Sequence, residues 1–340
     1  MKDRVIICKE PLGFPWQTSD PFLLCVHHLD HFPPGNSKLG VDPKYLRGHT
    51  RGNDFQTIDG FRMYHGVHTP GFPRHPHKGF ETITIVLDGY VDHSDSMGAY
   101  GRYSTGDVQW MTAGAGVQHC EMFPLIHHDK ENKLELFQIW LNLPANRKNV
   151  PPYYKMMWKE DIPKVITGNK EGERAFVRVV AGKYEGEEGL APPPDSWAAD
   201  PKNEVSILDI VIEPYAEVTI PRMENMDQFS NLYFYRGDQM FIHRDVINEH
   251  CCLCLHREHD IKIKAGDSMC HLLLLQGVSI KEPVAKYGPF VMNSEAEIRQ
   301  TFEEYNETEF GGWIWDNDEV IHPKEQLRFA VYKDGKEEFK

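Results

Sequence analysis

The stretch Arg74-His75-Pro76-His77-Lys78-Gly79-Phe80-Glu81-Thr82-Ile83-Thr84-Ile85-Val86-Leu87-Asp88-Gly89 decides how this sequence is read. Alternate residues of a strand point to the same face, with Cα atoms about 6.6–6.8 Å apart. His75 and His77 therefore aim two imidazoles at one point beside a sheet. Pro76 between them withholds a backbone donor, which suits a sheet edge or a strand start. The β-branched run Thr-Ile-Thr-Ile-Val-Leu continues as a strand and ends in an Asp88-Gly89 turn. Further on, His119-Cys120-Glu121 repeats the spacing. A single buried histidine is more often a hydrogen-bonded core residue than a ligand. Two such pairs beside glycine-rich turns supply three nitrogens and a carboxylate, a set that can hold a divalent metal through His75, His77, His119 and Glu121.

Around these pairs, short strands alternate with Gly or Asp turns from 61 to 145, the pattern of an antiparallel sandwich or barrel. After a Pro-rich acidic stretch, Glu185 to Asn203, a second series follows: Ser206 to Ile212, Ala216 to Ile220, Asn231 to Arg236, Met240 to His243, Cys251 to Leu255, Asp260 to Lys264 and His271 to Leu275. Its Gly237-Asp238 and Gly266-Asp267 turns echo Asp88-Gly89 and Gly106-Asp107, so the fold reads as duplicated. Pro221-Arg222-Met223-Glu224 stands where a second His-x-His belongs, and the second unit is expected to be metal-free. Ser294 and Glu297 form a capping box ahead of Ile298, Phe302 and Tyr305, which recur at helical spacing until Phe310-Gly311-Gly312. Asn36 to Thr57 lacks periodicity and reads as an exposed loop; the tail to Lys340 is charged and patternless.

Composition narrows the function. The formal charge of −14, from 51 acidic and 37 basic residues, repels phosphate backbones, and Lys and Arg are scattered, so direct nucleic-acid binding is not expected. Seven cysteines, an odd number in a long chain, do not resemble a disulfide framework and suit a reducing, cytoplasmic compartment, or the nucleus in a eukaryotic cell. Cys251-Cys252-Leu253-Cys254 lacks C-x2-C spacing and reads as strand thiols rather than a zinc site. The amino-terminal apolar run is too short for a signal peptide, and no apolar run is long enough to span a bilayer.

The run from His75 to Thr82, then Gly106 to Gly116, then His119-x-Glu121-Met122, resembles the pirins, a branch of the cupin superfamily. Glu282-Pro283-Val284 and Tyr287 to Asn293 resemble the pirin C-terminal signature. The resemblance implies an all-β fold of two tandem cupin (β-sandwich or jelly-roll) barrels with a short C-terminal helix. Residues 1–60 then form an N-terminal strand and extended loop, 61–150 the metal-binding cupin and 151–204 a connecting segment. Residues 205–293 form the metal-free C-terminal cupin, and 294–340 a helix and tail. It also implies Fe(II) on His75, His77, His119 and Glu121, a set that nickel, copper, manganese or zinc can also occupy. The implied activity is that of a quercetin 2,3-dioxygenase-like oxidoreductase opening a flavonol-like aromatic substrate with O2, Glu121 accepting a proton. The alternative it implies is a metal-dependent, redox-sensitive transcriptional co-regulator that binds protein partners without turnover. Glu81, Asp107 and Gln109 are candidates to orient the ligands, and Phe80, Trp110, Met111 and Trp140 to wall the pocket. His65 and His68 are placed at its mouth. Cys120 should point away from the metal and pack.

Overall fold

A computed structural model describes residues 5–168, 173–224 and 229–340. The chain is almost entirely β-structure, with one α-helix among the described residues, Glu295–Thr308. It divides into two compact units: Met1–Val26, Trp140–Asn142 and Glu160–Lys281 form one, and His27–Ile139, Leu143–Lys159 and Glu282–Lys340 form the other.

The unit that carries the histidine pairs is built on two sheets. One has six strands, in the order Glu337–Phe339, Phe329–Val331, Tyr100–Ser104, Tyr90–Asp95, Val117–Met122 and Gly71–His77. The other has five, in the order Tyr153–Met157, Val108–Thr112, Phe80–Asp88, Asn132–Asn142 and Phe22–Phe32. Side chains from both meet in one core that includes Val86, Val91, Tyr103, Leu134, Leu136, Tyr154 and Trp158. Each buried aliphatic or aromatic side chain of this kind contributes about 1.5–3 kcal/mol relative to exposure.

In the other unit a seven-stranded sheet runs Ile6–Pro11, Cys251–His256, Phe229–Arg236, Cys270–Gln276, Ser206–Ile212, Ala175–Ala181 and Lys164–Thr167. A four-stranded sheet holds Glu217–Ile220, Ile261–Ala265, Met240–Ile242 and Asp245–Ile247. The alternation in Ser206–Ile212 sends Leu208, Ile210 and Ile212 into a core shared with Val218, Ile220, Ile261 and Ile263. The strands expected from 206 to 275 are all observed, with ends moved by a residue or two, and one more, Asp245–Ile247, pairs with Met240–Ile242.

The helix starts where its capping box places it. Ser294 Oγ accepts from Glu297 N at 3.3 Å, and Glu297 reaches back to Asn293 N at 3.1 Å. It stops at Thr308, before the two glycines, because Glu309 takes up a left-handed conformation with φ 47°.

Two stretches that looked patternless are tied down. Within 36–57, Leu39, Val41 and Asp54 are buried, and Asp54 Oδ2 bonds both His49 Nδ1 at 2.6 Å and Met63 N at 2.8 Å. The segment is the largely exposed loop expected, but these buried side chains anchor it, a short side-chain network doing what the ladder of a strand does elsewhere. The tail adds two strands to the ligand-bearing sheet: Phe329, Ala330 and Val331 pair with Arg102, Gly101 and Tyr100. A side chain at position 101 would put its Cβ 2.4 Å from Phe329 O, so glycine there permits the approach. Arg102 fastens the tail. It donates through Nε and Nη2 to both oxygens of Asp92, at 2.6 and 2.8 Å, and to the carbonyls of His322, Pro323 and Gln326 at 2.7–2.9 Å.

Both members of that ion pair are fully buried. Removing one partner leaves an uncompensated charge, so Asp92→Ala should lower the unfolding free energy by about 3–5 kcal/mol, read by urea denaturation. Faster amide exchange should appear across 320–331 in the same variant.

Candidate metal centre

His75 and His77 lie on the Gly71–His77 strand at the sheet edge, as Pro76 requires, and His75 stands directly opposite His119. The register slips between Phe72 and His75, so this strand bulges just before its first ligand. Bulges re-aim side chains beside functional sites, and here Pro73 O is left to accept from His75 Nδ1 at 2.8 Å. His77 Nδ1 lies 3.4 Å from Pro289 O. Gly79, with φ +86°, turns the chain into the next strand, and a Cβ there would lie 2.0 Å from Val291 O.

With Nδ1 donating to a carbonyl, each of these neutral rings presents a bare lone pair at Nε2. His75 Nε2 sits 3.1 Å from His77 Nε2 and 2.9 Å from His119 Nε2. Such lone pairs repel unless a proton or a cation stands among them. Two nitrogens each about 2.1 Å from one ion, at right angles, are about 3.0 Å apart. The spacing fits a shared metal ion, and these three residues form a group able to hold one.

Burial is the main reason these imidazoles stay neutral. It pushes His75 from an ordinary 6.5 to about 4, and His77 and His119 well below 6.5, with neighbouring imidazoles adding to the effect. His77 and His119 are buried and His75 half-buried, so the site opens past His75.

Glu121 follows His119 on the same face of its strand, but its carboxylate lies outside the three-histidine group. Thr84 Oγ1 donates to Oε1 at 2.9 Å, Tyr103 OH to Oε1 at 3.3 Å, and Gln138 Nε2 to Oε2 at 3.1 Å. Burial raises its pKa, while His93 and these three donors oppose the rise. His93 stands opposite Glu121 across the ladder, with its ring 5.5 Å from that of His119.

Thr84, His93, Tyr103 and Gln138 were not singled out from sequence. Thr84 carried a usable signal, a hydroxyl between Ile83 and Ile85 in an apolar run, whereas His93 sits among polar neighbours in Tyr90–Asp95 and carried none. Of the residues that were, Asp107 serves a turn and the tail, accepting from Ser104 N, Lys159 N and Arg328. Gln109 is buried without a side-chain partner, and Glu81 accepts from Thr112 Oγ1 at 2.7 Å. Phe80 meets His77 edge-on, with ring centroids 5.1 Å apart. Met111 packs with Ala113 and Val117, Trp110 is buried, and Trp140 falls in the unit without the ligands. His65 is exposed and touches Phe72, whose ring in turn meets His75; His68 is exposed. Cys120 packs with Met122 and Val320, and burial pushes its thiol up to about 12.

The pirin family model matches residues 19–141, and that of the pirin C-terminal cupin domain matches residues 207–311. A Vibrio cholerae protein provisionally named quercetin 2,3-dioxygenase is 36% identical over 240 residues, covering 71% of this chain and 80% of its own. The chain belongs to the pirin family. Human pirin is 32% identical over 256 residues, 74% of this chain and 81% of its own. The crystal structure of a quercetin 2,3-dioxygenase from Acinetobacter baumannii superposes with a TM-score of 0.69 at 26% identity, covering 91% of this chain and 99% of that one. The two-cupin all-β fold implied by the sequence motifs is therefore the fold of this pirin-family chain. The tail from 312 onward lies beyond both matched segments, and it is this tail that extends the ligand-bearing sheet. No helix of the described residues is long and apolar enough to cross a membrane.

The depressed imidazole pKa values set a direction with pH. An unfolded histidine takes up its proton near 6.5, whereas His75 resists protonation down to about 4. The metal-free protein should hold its full stability above pH 6.5 and lose it progressively from 6.5 towards 4. Thermal melts across that range test this, and the slope should flatten in a His75→Asn, His119→Asn double variant.

Proposed function

We propose that this protein is a non-haem metal dioxygenase, with iron as the working ion, that opens a flavonol such as quercetin with O2. The reading rests on one observation: three imidazoles turn their Nε2 atoms towards one another, with the buried Glu121 carboxylate on the strand of His119. Names given to the relatives from Vibrio cholerae and Acinetobacter baumannii support the substrate class.

His75, His77 and His119 would hold the ion, with Glu121 as its fourth ligand or close neighbour. A bound ferrous ion supplies open coordination positions and electron-transfer chemistry towards O2. The chain's own residues do the rest. Pro73 O and Pro289 O fix the tautomers of His75 and His77, so that Nε2 stays free to bind. Glu121, its pKa raised by burial, takes the proton from the flavonol hydroxyl and so prepares an electron-rich ring for oxidation. Thr84, Tyr103 and Gln138 hold that carboxylate in place. Phe80, beside His77, offers an apolar face to a flat ligand, and entry is past half-buried His75. Ring opening with loss of CO completes the reaction.

Quercetin added to the iron-loaded protein without oxygen should bind, and admission of O2 should then bleach it with release of CO. Glu121→Gln should lower kcat/KM by about 10²–10⁴ while metal is retained. Tight metal binding with no turnover of any flavonol would instead favour a protein-binding regulator.

A further inference from the structure

The Ile6–Pro11 strand lies at the edge of the seven-stranded sheet, and of its six residues only Ile6 is buried. It is paired to Cys251–His256 so that Cys8 stands directly opposite Cys254. Across Cys251–His256, alternate side chains part company. Cys251, Leu253 and Leu255 enter the barrel core, leaving Cys252 and Cys254 on the opposite face with Cys8. Cys8 is exposed and Cys254 half-buried, and both are free thiols.

Residues directly opposite on antiparallel strands have Cα atoms about 4.5–5.5 Å apart, inside the about 4.4–6.8 Å that a disulfide spans. We propose that Cys8 and Cys254 form a reversible dithiol–disulfide site that fastens the edge strand to its neighbour when a low-molecular-weight disulfide oxidises it.

The division of labour follows from exposure. Cys8, reachable from solvent, attacks the small disulfide as its thiolate, forming a mixed disulfide and expelling one thiolate. Cys254 then loses its proton and attacks the Cys8 sulfur, expelling the second. The two protein thiols give up two electrons and two protons, and one small disulfide becomes two thiols. Burial, with Cys8 adding to it, raises the Cys254 thiol to about 12, so Cys8 attacks first and Cys254 gives up its proton only as it attacks the mixed disulfide held opposite it by the strand register. Cys252 is buried and takes a hydrogen bond from Asn231 Nδ2 at 3.4 Å, which keeps it aside. Oxidation replaces a strand held by exposed ladder hydrogen bonds with one held covalently. The slip in register between Ile6 and Cys8 marks where that ladder is weakest.

The test treats the full-length, metal-loaded protein with oxidised glutathione and maps the products without reduction. Fragment ions must assign the partner, because Cys251, Cys252 and Cys254 share one tryptic peptide. Wild-type protein should give a Cys8–Cys254 cross-link with no retained glutathione, reversed by dithiothreitol. Cys252→Ser should give the same product, whereas Cys254→Ser should stop at glutathione on Cys8. Amide exchange across residues 8–11 should slow about tenfold on oxidation. A wild-type product that stops at glutathionylated Cys8, or a Cys8–Cys252 link, would overturn the assignment, as would unchanged exchange after cross-linking.

Discussion

The close approach of three imidazole nitrogens is the constraint on which this architecture rests. In water the rings would separate or pick up protons. Here burial opposes protonation, and two backbone carbonyls fix the tautomers of His75 and His77, so that their bare Nε2 atoms lie 3.1 Å apart, with His119 Nε2 2.9 Å from that of His75. An arrangement costly when empty is favourable once a cation fills it. The three histidines form a group able to hold a metal ion, and the core behind their strands keeps them in place.

The scaffold supplies that constraint through a few local devices. Pro76 keeps the first ligand pair at an edge, where a missing backbone donor does no harm. The bulge after Phe72 turns Pro73 O towards His75. Gly79 lets the chain pass close to Val291 O, and Val291 N donates to Lys78 O at 3.0 Å while Lys78 N donates to Pro289 O at 3.4 Å. On the far side of the sheet, the Asp92–Arg102 pair and the tail strands brace Tyr90–Asp95, the strand next to that of His119 and Glu121. The catalytic reading needs Glu121 to be both basic and restrained, and its three donors, Thr84, Tyr103 and Gln138, come from three different strands.

What the sequence disclosed follows the range of each signal. Period-two alternation and Gly-Asp turns are local, so Ser206–Ile212 or Cys270–Gln276 could be drawn almost to the residue. The histidine pairs were legible because strand geometry alone puts i and i+2 on one face. Asp107 and Gln109 looked like supports for the ligands because they are polar and close in sequence. Support came instead from Thr84, Tyr103, Gln138 and Pro289 O, none of them a sequence neighbour of the side chain it serves, and from Pro73 O, which only the bulge turns towards His75. The tail was opaque for a similar reason: Phe329–Val331 becomes a strand only because Gly101 and Arg102, more than two hundred residues earlier, accept it. Nothing in the sequence links Cys8 to Cys254; only cross-strand register places the two opposite each other.

The most direct test of the three-imidazole centre is anaerobic titration of the metal-free protein with ferrous ion, followed by X-ray absorption at the iron edge. The account predicts uptake of one ion per chain, with scattering from three imidazole rings in its first coordination sphere. No uptake, or an ion bound equally well after His75 and His119 are both replaced by alanine, would contradict it.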